Sequence, residues 1–109
     1  MLNKFRYILR RQQCRSIDDN DINMEQLEKM VGQGAILLDV RSPQEYNEGH
    51  LQGSILIPDY ELRIKAEKML KDKQQTIIAY CSSGIRSKKA QKMLKQMGYT
   101  KVYNLYQGL

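Results

Sequence analysis

The stretch "YCSSGIRS", residues 80 to 87, puts a thiol at the end of an apolar run and a guanidinium five positions later, where a helical pattern begins. A cysteine acts as a nucleophile only as its thiolate, so its reactivity depends on what surrounds it. "TIIAY" is a short run rich in β-branched residues and reads as a buried strand. From Ser87 to Met97 the apolar residues Ala90, Met93, Leu94 and Met97 repeat at helical spacing, with Gly98 placed to end the helix. Cys81 therefore stands at the carboxyl end of a strand and directly before a helix, where open α/β sheets bind ligands. Ser82, Ser83, Gly84, Ile85 and Arg86 must form a tight loop whose N–H groups can face the sulfur, with Gly84 free to take the left-handed conformation such a nest requires. The positive end of the helix starting near Ser87 adds to them, and both effects favour thiolate over thiol. Arg86 offers a cation to an anionic substrate or product. The competing reading makes Cys81 a small buried hydrophobe.

The elements that must position this loop follow from pattern. "SIDDNDIN" reads as a polar linker into the domain. Asn23 with Gln26 three residues on is a helix cap, and Met24, Leu27, Met30 and Val31 supply one apolar face before "GQG". "AILLDV" is a continuous apolar run, the pattern of a strand buried on both faces. Ser42-Pro43-Gln44-Glu45 combines a capping serine, a proline at the first helical position and a glutamate at the third, so a short helix ending near Gly49 is expected. "SILIP" reads as a second core strand, and residues 59 to 72 as an amphipathic helix with Leu62, Ala66, Met69 and Leu70 on one face. "KVYNLY" reads as the last strand. Strands alternating with helices imply βαβ units and a mostly parallel sheet covered on both faces.

Length and composition narrow the function classes. The 109 residues, 41% hydrophobic and 28% charged, suit one folded domain, and the apolar runs are too short to span a membrane. The net charge of +6 is concentrated in residues 1 to 16, where Lys4, Arg6, Arg10, Arg11 and Arg15 occur without an acid. No aromatic-plus-basic motif accompanies them, so no nucleic-acid partner is expected. Met1, Leu2, Phe5, Ile8 and Leu9 recur at helical spacing in this arm, leaving packing on the domain, contact with a membrane surface and organelle targeting open. We divide the chain into a basic extension, 1–20, and a domain, 21–109. The two cysteines, Cys14 and Cys81, make no disulfide framework, and a reducing, cytoplasmic compartment is expected. One histidine and two separated cysteines offer no protein-built metal site.

From about Ile22 to Gly108 the chain resembles the rhodanese-like sulfurtransferases of the single-domain kind. "LLDVRSPQEYNEGHLQGSILIP" is similar to the family's D-x-R…E-[FY]-x-x-G-H-[IL]-x-G-[AS]-x-x-[IL]-P block, and "YCSSGIRS" to its Y-C-x-x-G-x-R-[ST] active loop. The resemblance implies a three-layer α/β/α domain with a mostly parallel sheet of about five strands. It also implies that Cys81 takes a sulfane sulfur from a donor such as thiosulfate, becomes a persulfide, and passes the sulfur to cyanide or a thiol. Ser82 to Ser87 would cradle the anionic donor, with no cofactor or metal, because the persulfide itself carries the group. A protein could serve as the sulfur acceptor.

Asp39, Arg41 and Glu45 resemble the family's structural charges, with Arg41 able to reach Glu45. His50, in "EGHLQG", resembles a position that holds the fold. Cysteine-based phosphatases and arsenate reductases, the runner-up enzymes, use C-x5-R, whereas four residues separate Cys81 from Arg86 here, a smaller cradle suited to a sulfur on cysteine. A sulfur-carrier or protein-interaction module on the same scaffold is the alternative outside enzymes. The sequence departs from the family at Leu56, where asparagine is common, and at "YQGL", which replaces paired glycines. Without a closing helix after Leu109, apolar surface would need covering by the arm or a second subunit. Cys14 is either passive or a resolving thiol for the persulfide.

Overall fold

The computed structural model describes residues 17–109. The basic arm, its amphipathic pattern and Cys14 lie outside the described residues. The strands are β1 (Asp21–Ile22), β2 (Ile36–Asp39), β3 (Ile55–Leu56), β4 (Ile77–Tyr80) and β5 (Val102–Leu105). Between them run the helices α1 (Met24–Gly32), α2 (Pro43–Glu48), α3 (Leu62–Met69) and α4 (Ile85–Gln96), with a 3-10 turn at Asp59–Glu61 leading into α3. The strands form one all-parallel sheet in the order β1-β5-β4-β2-β3.

The alternation of side chains along the central strands divides the core into two layers. Leu38, Ile77, Ala79 and Val102 face Leu62, Ala66, Leu70, Ala90, Leu94 and Tyr99 from the α3 and α4 side. Leu37, Ile78, Tyr80 and Leu105 face Ile22 and Leu27 from the α1 side. Burial of each large apolar side chain contributes about 2 kcal/mol, so the two layers together fix the central strands in register. The expected three-layer α/β/α architecture is present.

Helix starts follow the local chemistry. Asn23 and Gln26 form a reciprocal capping box on α1, and Ser42 and Glu45 form one on α2 with Pro43 at its first position. Three expectations require correction. The expected linker contains β1, because Asp21 and Ile22 pair with Asn104 and Leu105, an edge that only the distant β5 can template. The expected core strand "SILIP" is a two-residue edge strand with Ile55 and Leu56 half-buried; Ile57 and Asp59 extend its bonding to β2 across Pro58, which has no N–H to give. Met69 is 46% exposed rather than on the buried face, since α3 ends there and Leu70 turns inward alone.

Tyr80 ties β4 to the turn before β3. Its hydroxyl accepts from the Leu51 amide at 3.0 Å and donates to Ser54 Oγ at 2.9 Å. Tyr80→Phe should lower stability by about 1–2 kcal/mol in urea denaturation, because the Leu51 amide and the buried Ser54 hydroxyl lose this partner together. An unchanged midpoint would show that the turn does not depend on the bond.

Candidate active site

β4 ends at Tyr80, and the chain then turns through Cys81, Ser82, Ser83 and Gly84 into α4. Gly84 makes this turn with φ of 89° and ψ of −7°, the left-handed conformation. The Gly84 amide donates to Cys81 Sγ at 3.1 Å and the Ser87 amide at 3.4 Å, while Ser87 Oγ lies 3.3 Å from the sulfur. α4 begins at Ile85, two residues earlier than its apolar pattern implies, which puts Arg86 and Ser87 in the first helical turn with the helix's positive end at the sulfur. Burial, the largest influence, pushes the Cys81 thiol up; the Ser87 hydroxyl and the amides of Ser87, Ser83 and Gly84 outweigh it, and the pKa lies below the ordinary thiol value.

The sulfur is nevertheless not at the surface. Cys81 has 0% of its area exposed and joins the α3 and α4 side of the core. The C-terminal segment packs against the loop's other side: Leu109 N donates to Cys81 O at 3.0 Å, and Gly108 lies so close to Ser82 that a Cβ there would meet Ser82 O at 2.1 Å. Ser82, Ser83 and Ile85 are exposed at the rim. Of the expected amides of residues 82 to 86, those of Ser83 and Gly84 act on the sulfur, joined by that of Ser87, and the sulfur itself is buried.

Arg86 also differs from expectation. Its guanidinium makes a two-pronged pair with Glu45, Nη1 to Oε1 and Nη2 to Oε2, both at 2.9 Å. Ser82 Oγ donates to Glu45 Oε2 at 3.1 Å. The α2 capping box explains this: Ser42 N holds Glu45 Oε1 at 3.0 Å, fixing the carboxylate beside the cysteine loop. Arg86 and Ser42 together hold the Glu45 carboxyl well below the usual carboxylate range, and Glu45 raises Arg86 further. The cation beside the loop is thus matched by an anion, and the backbone and helix end supply the net attraction for a negative group.

Arg41 does not reach Glu45. It lies against Asp39, with Nε at 3.0 and 3.1 Å from the two carboxylate oxygens and Nη2 at 2.8 Å from Oδ2, and Nη2 also donates to Gly49 O at 2.6 Å. Asp39 is wholly buried, and a buried carboxylate without this cation would be strongly destabilising. The pair fastens the end of β2 to the end of α2. His50 is exposed, stacked on Tyr46 at 3.6 Å between ring centres, with Nδ1 2.8 Å from Tyr46 O. Among the described residues no group of three His, Cys, Asp or Glu could hold a metal ion, and no helix is long and apolar enough to cross a membrane.

Ser87→Ala removes one hydroxyl donor from Sγ and leaves the amides. One hydrogen bond to a charged group corresponds to about one pKa unit, so the Cys81 pKa should rise by about that much. Because the thiolate forms as pH rises through a depressed pKa, the rising limb of the iodoacetamide alkylation profile should move to higher pH. A limb that stays in place would show that the Ser87 hydroxyl does not stabilise the thiolate.

A cysteine at a parallel strand's carboxyl end, its sulfur facing amides at a helix start, defines a domain built to stabilise an anionic sulfur. The chain belongs to the rhodanese-like domain family, which it matches over residues 23–109. It is 40% identical over 67 residues to "Thiosulfate sulfurtransferase PspE" of Escherichia coli (strain K12), covering 62% of this chain and 64% of that protein, and so spans less than two thirds of that relative's length. It is 32% identical over 92 residues to a "Sulfurtransferase" of Allochromatium vinosum, covering 83% of this chain and 84% of the relative. Among solved structures, reduced Bacillus anthracis CoADR-RHD superposes with a TM-score of 0.74 at 35% identity, over 82% of this chain and 15% of that one.

Proposed function

We propose that this protein is a sulfurtransferase that carries a sulfane sulfur on Cys81. The observation that carries the reading is the sulfur's seat: Gly84 N and Ser87 N at 3.1 and 3.4 Å, at the positive end of α4. In the first half-reaction the Cys81 thiolate attacks the outer sulfur of thiosulfate. A sulfur–sulfur bond to Sγ forms, the donor's sulfur–sulfur bond breaks, and sulfite leaves with its electron pair. In the second, cyanide or a thiolate attacks the terminal sulfur of the persulfide, and Cys81 leaves as thiolate. Neither step needs an external oxidant, and a thiolate already stabilised by its loop needs no separate base.

The persulfide's charge rests on its outer sulfur. Ile85 and Arg86 occupy the first turn of α4, where N–H groups have no partner inside the helix, and these amides supply its seat. Cys81 is buried, so the donor meets Sγ only when the structure around the loop opens. Four residues between Cys81 and Arg86, with Arg86 held by Glu45, leave little room for a tetrahedral phosphoryl group and favour sulfur chemistry over the phosphatase reading.

The burial of Cys81 favours one second reading, a carrier that receives sulfur only from a protein donor that opens the loop. Initial rates with thiosulfate and cyanide varied together separate the two. Parallel double-reciprocal lines are expected, as for a covalent intermediate released between substrates. Intersecting lines would contradict the persulfide route, and inertness to thiosulfate with sulfur uptake from a protein persulfide would establish the carrier.

A further inference from the structure

A closed ring of hydrogen bonds runs from the edge strand to the cysteine loop. The Gly84 carbonyl accepts from the Lys88 amide at 3.1 Å and from Asn104 Nδ2 at 3.5 Å. Asn104 Nδ2 also donates to Asp21 Oδ1 at 3.0 Å, and Lys88 Nζ closes the ring on Asp21 Oδ2 at 3.1 Å. Lys88 Nζ further contacts Asp18, and the Asp18 amide donates to Asp21 Oδ2 at 2.8 Å. The Asp21 side chain is 1% exposed and Asn104 is buried beside it.

Two features make this more than a tie between β1 and the sheet. Buried ion pairs add little net stability, because desolvation offsets their attraction, so a buried carboxylate on a two-residue edge strand points to a demand for geometry. Gly84 is also the residue whose backbone is least restrained by its own chemistry, and its peptide orientation decides whether its N–H meets Sγ. Two donors on its carbonyl fix the Gly84–Ile85 peptide and with it the start of α4, which carries the Ser87 amide to the sulfur, and the backbone of Tyr106, two residues beyond Asn104, fills the space where a Gly84 Cβ would stand.

We infer that Asp21, Asn104 and Lys88 are positioning residues that hold the Gly84 carbonyl, and with it the start of α4, so that the loop amides stay aimed at Cys81. The inference rests on Cys81 being the reactive group, yet it is read out by titration rather than by sulfur transfer. A failure here is therefore separable from a failure of the proposed activity.

The test uses the full chain in a Cys14→Ser background, so that a single thiol titrates, followed by thiolate absorbance against pH. Asp21→Asn removes a negative charge near the site. A purely electrostatic role would then lower the Cys81 pKa, whereas loss of aim raises it. Asn104→Leu changes no charge and removes the Nδ2 donor; its Oδ1 has no partner among the described residues, so that oxygen gives up nothing. Both variants should cut the thiolate fraction near neutral pH by at least about threefold. Arg86 and Glu45, the charges nearest the loop, are unchanged in both. A fall in pKa with Asp21→Asn, or an unchanged pKa with Asn104→Leu, would reduce the ring to a structural fastening. If Asp21→Asn does not fold, the charge-neutral variant decides alone.

Discussion

Cys81→Ser should lower sulfur transfer by at least about a thousandfold while changing stability by no more than about 1–2 kcal/mol. A serine hydroxyl does not ionise near neutral pH, so the amides that lie 3.1 and 3.4 Å from the sulfur would face a neutral hydroxyl, a far weaker nucleophile than a thiolate. The side chains differ by one atom, and the replaced sulfur sits in an environment already lined by Ser87 Oγ and two amides, which a hydroxyl can satisfy. Activity and urea midpoint measured on the same preparation would separate the two effects. Activity retained in a folded variant would move the chemistry away from residue 81.

Gly84→Ala should destabilise the protein by about 3 kcal/mol or more and weaken the thiolate along with it. A Cβ at this position would lie 2.1 Å from Tyr106 O and 2.8 Å from its carbonyl carbon, both backbone atoms that cannot swing aside. φ of 89° adds the ordinary cost of a side chain in left-handed backbone. Gly53→Ala is the matched comparison: φ is 83° there, but a Cβ would meet nothing within 4 Å, so only the conformational cost of about 1–2 kcal/mol remains. The difference between the two variants measures how tightly the C-terminal segment grips the cysteine loop. Equal losses would show that this contact carries no energy.

What was legible in the sequence is what neighbouring residues decide among themselves. Asn23 with Gln26, and Ser42 with Glu45, fix the starts of α1 and α2 within four residues. The cysteine loop was legible for the same reason: strand end, glycine and helix start are contiguous, and contiguity suffices to turn amides toward a sulfur. β1 escaped because Asp21 and Ile22 carry no strand pattern of their own and owe their conformation to β5, more than eighty residues on. Arg86 escaped because its partner Glu45 lies 41 positions away, and a local capping box aims that carboxylate. The Asp21, Lys88 and Asn104 ring left no signal in spacing, since its three members come from an edge strand, a helix and a second strand. Burial of Cys81 stood only as the competing reading, because it depends on how α3 and α4 pack against the strand ends.

The most direct measurement of the central claim is the intact mass of the full chain after exposure to thiosulfate. The account predicts a gain of one sulfur atom, removed by cyanide with thiocyanate as product and absent in Cys81→Ser. A chain that gains no sulfur from thiosulfate or any other sulfane donor, or one that gains it equally well without Cys81, would contradict it.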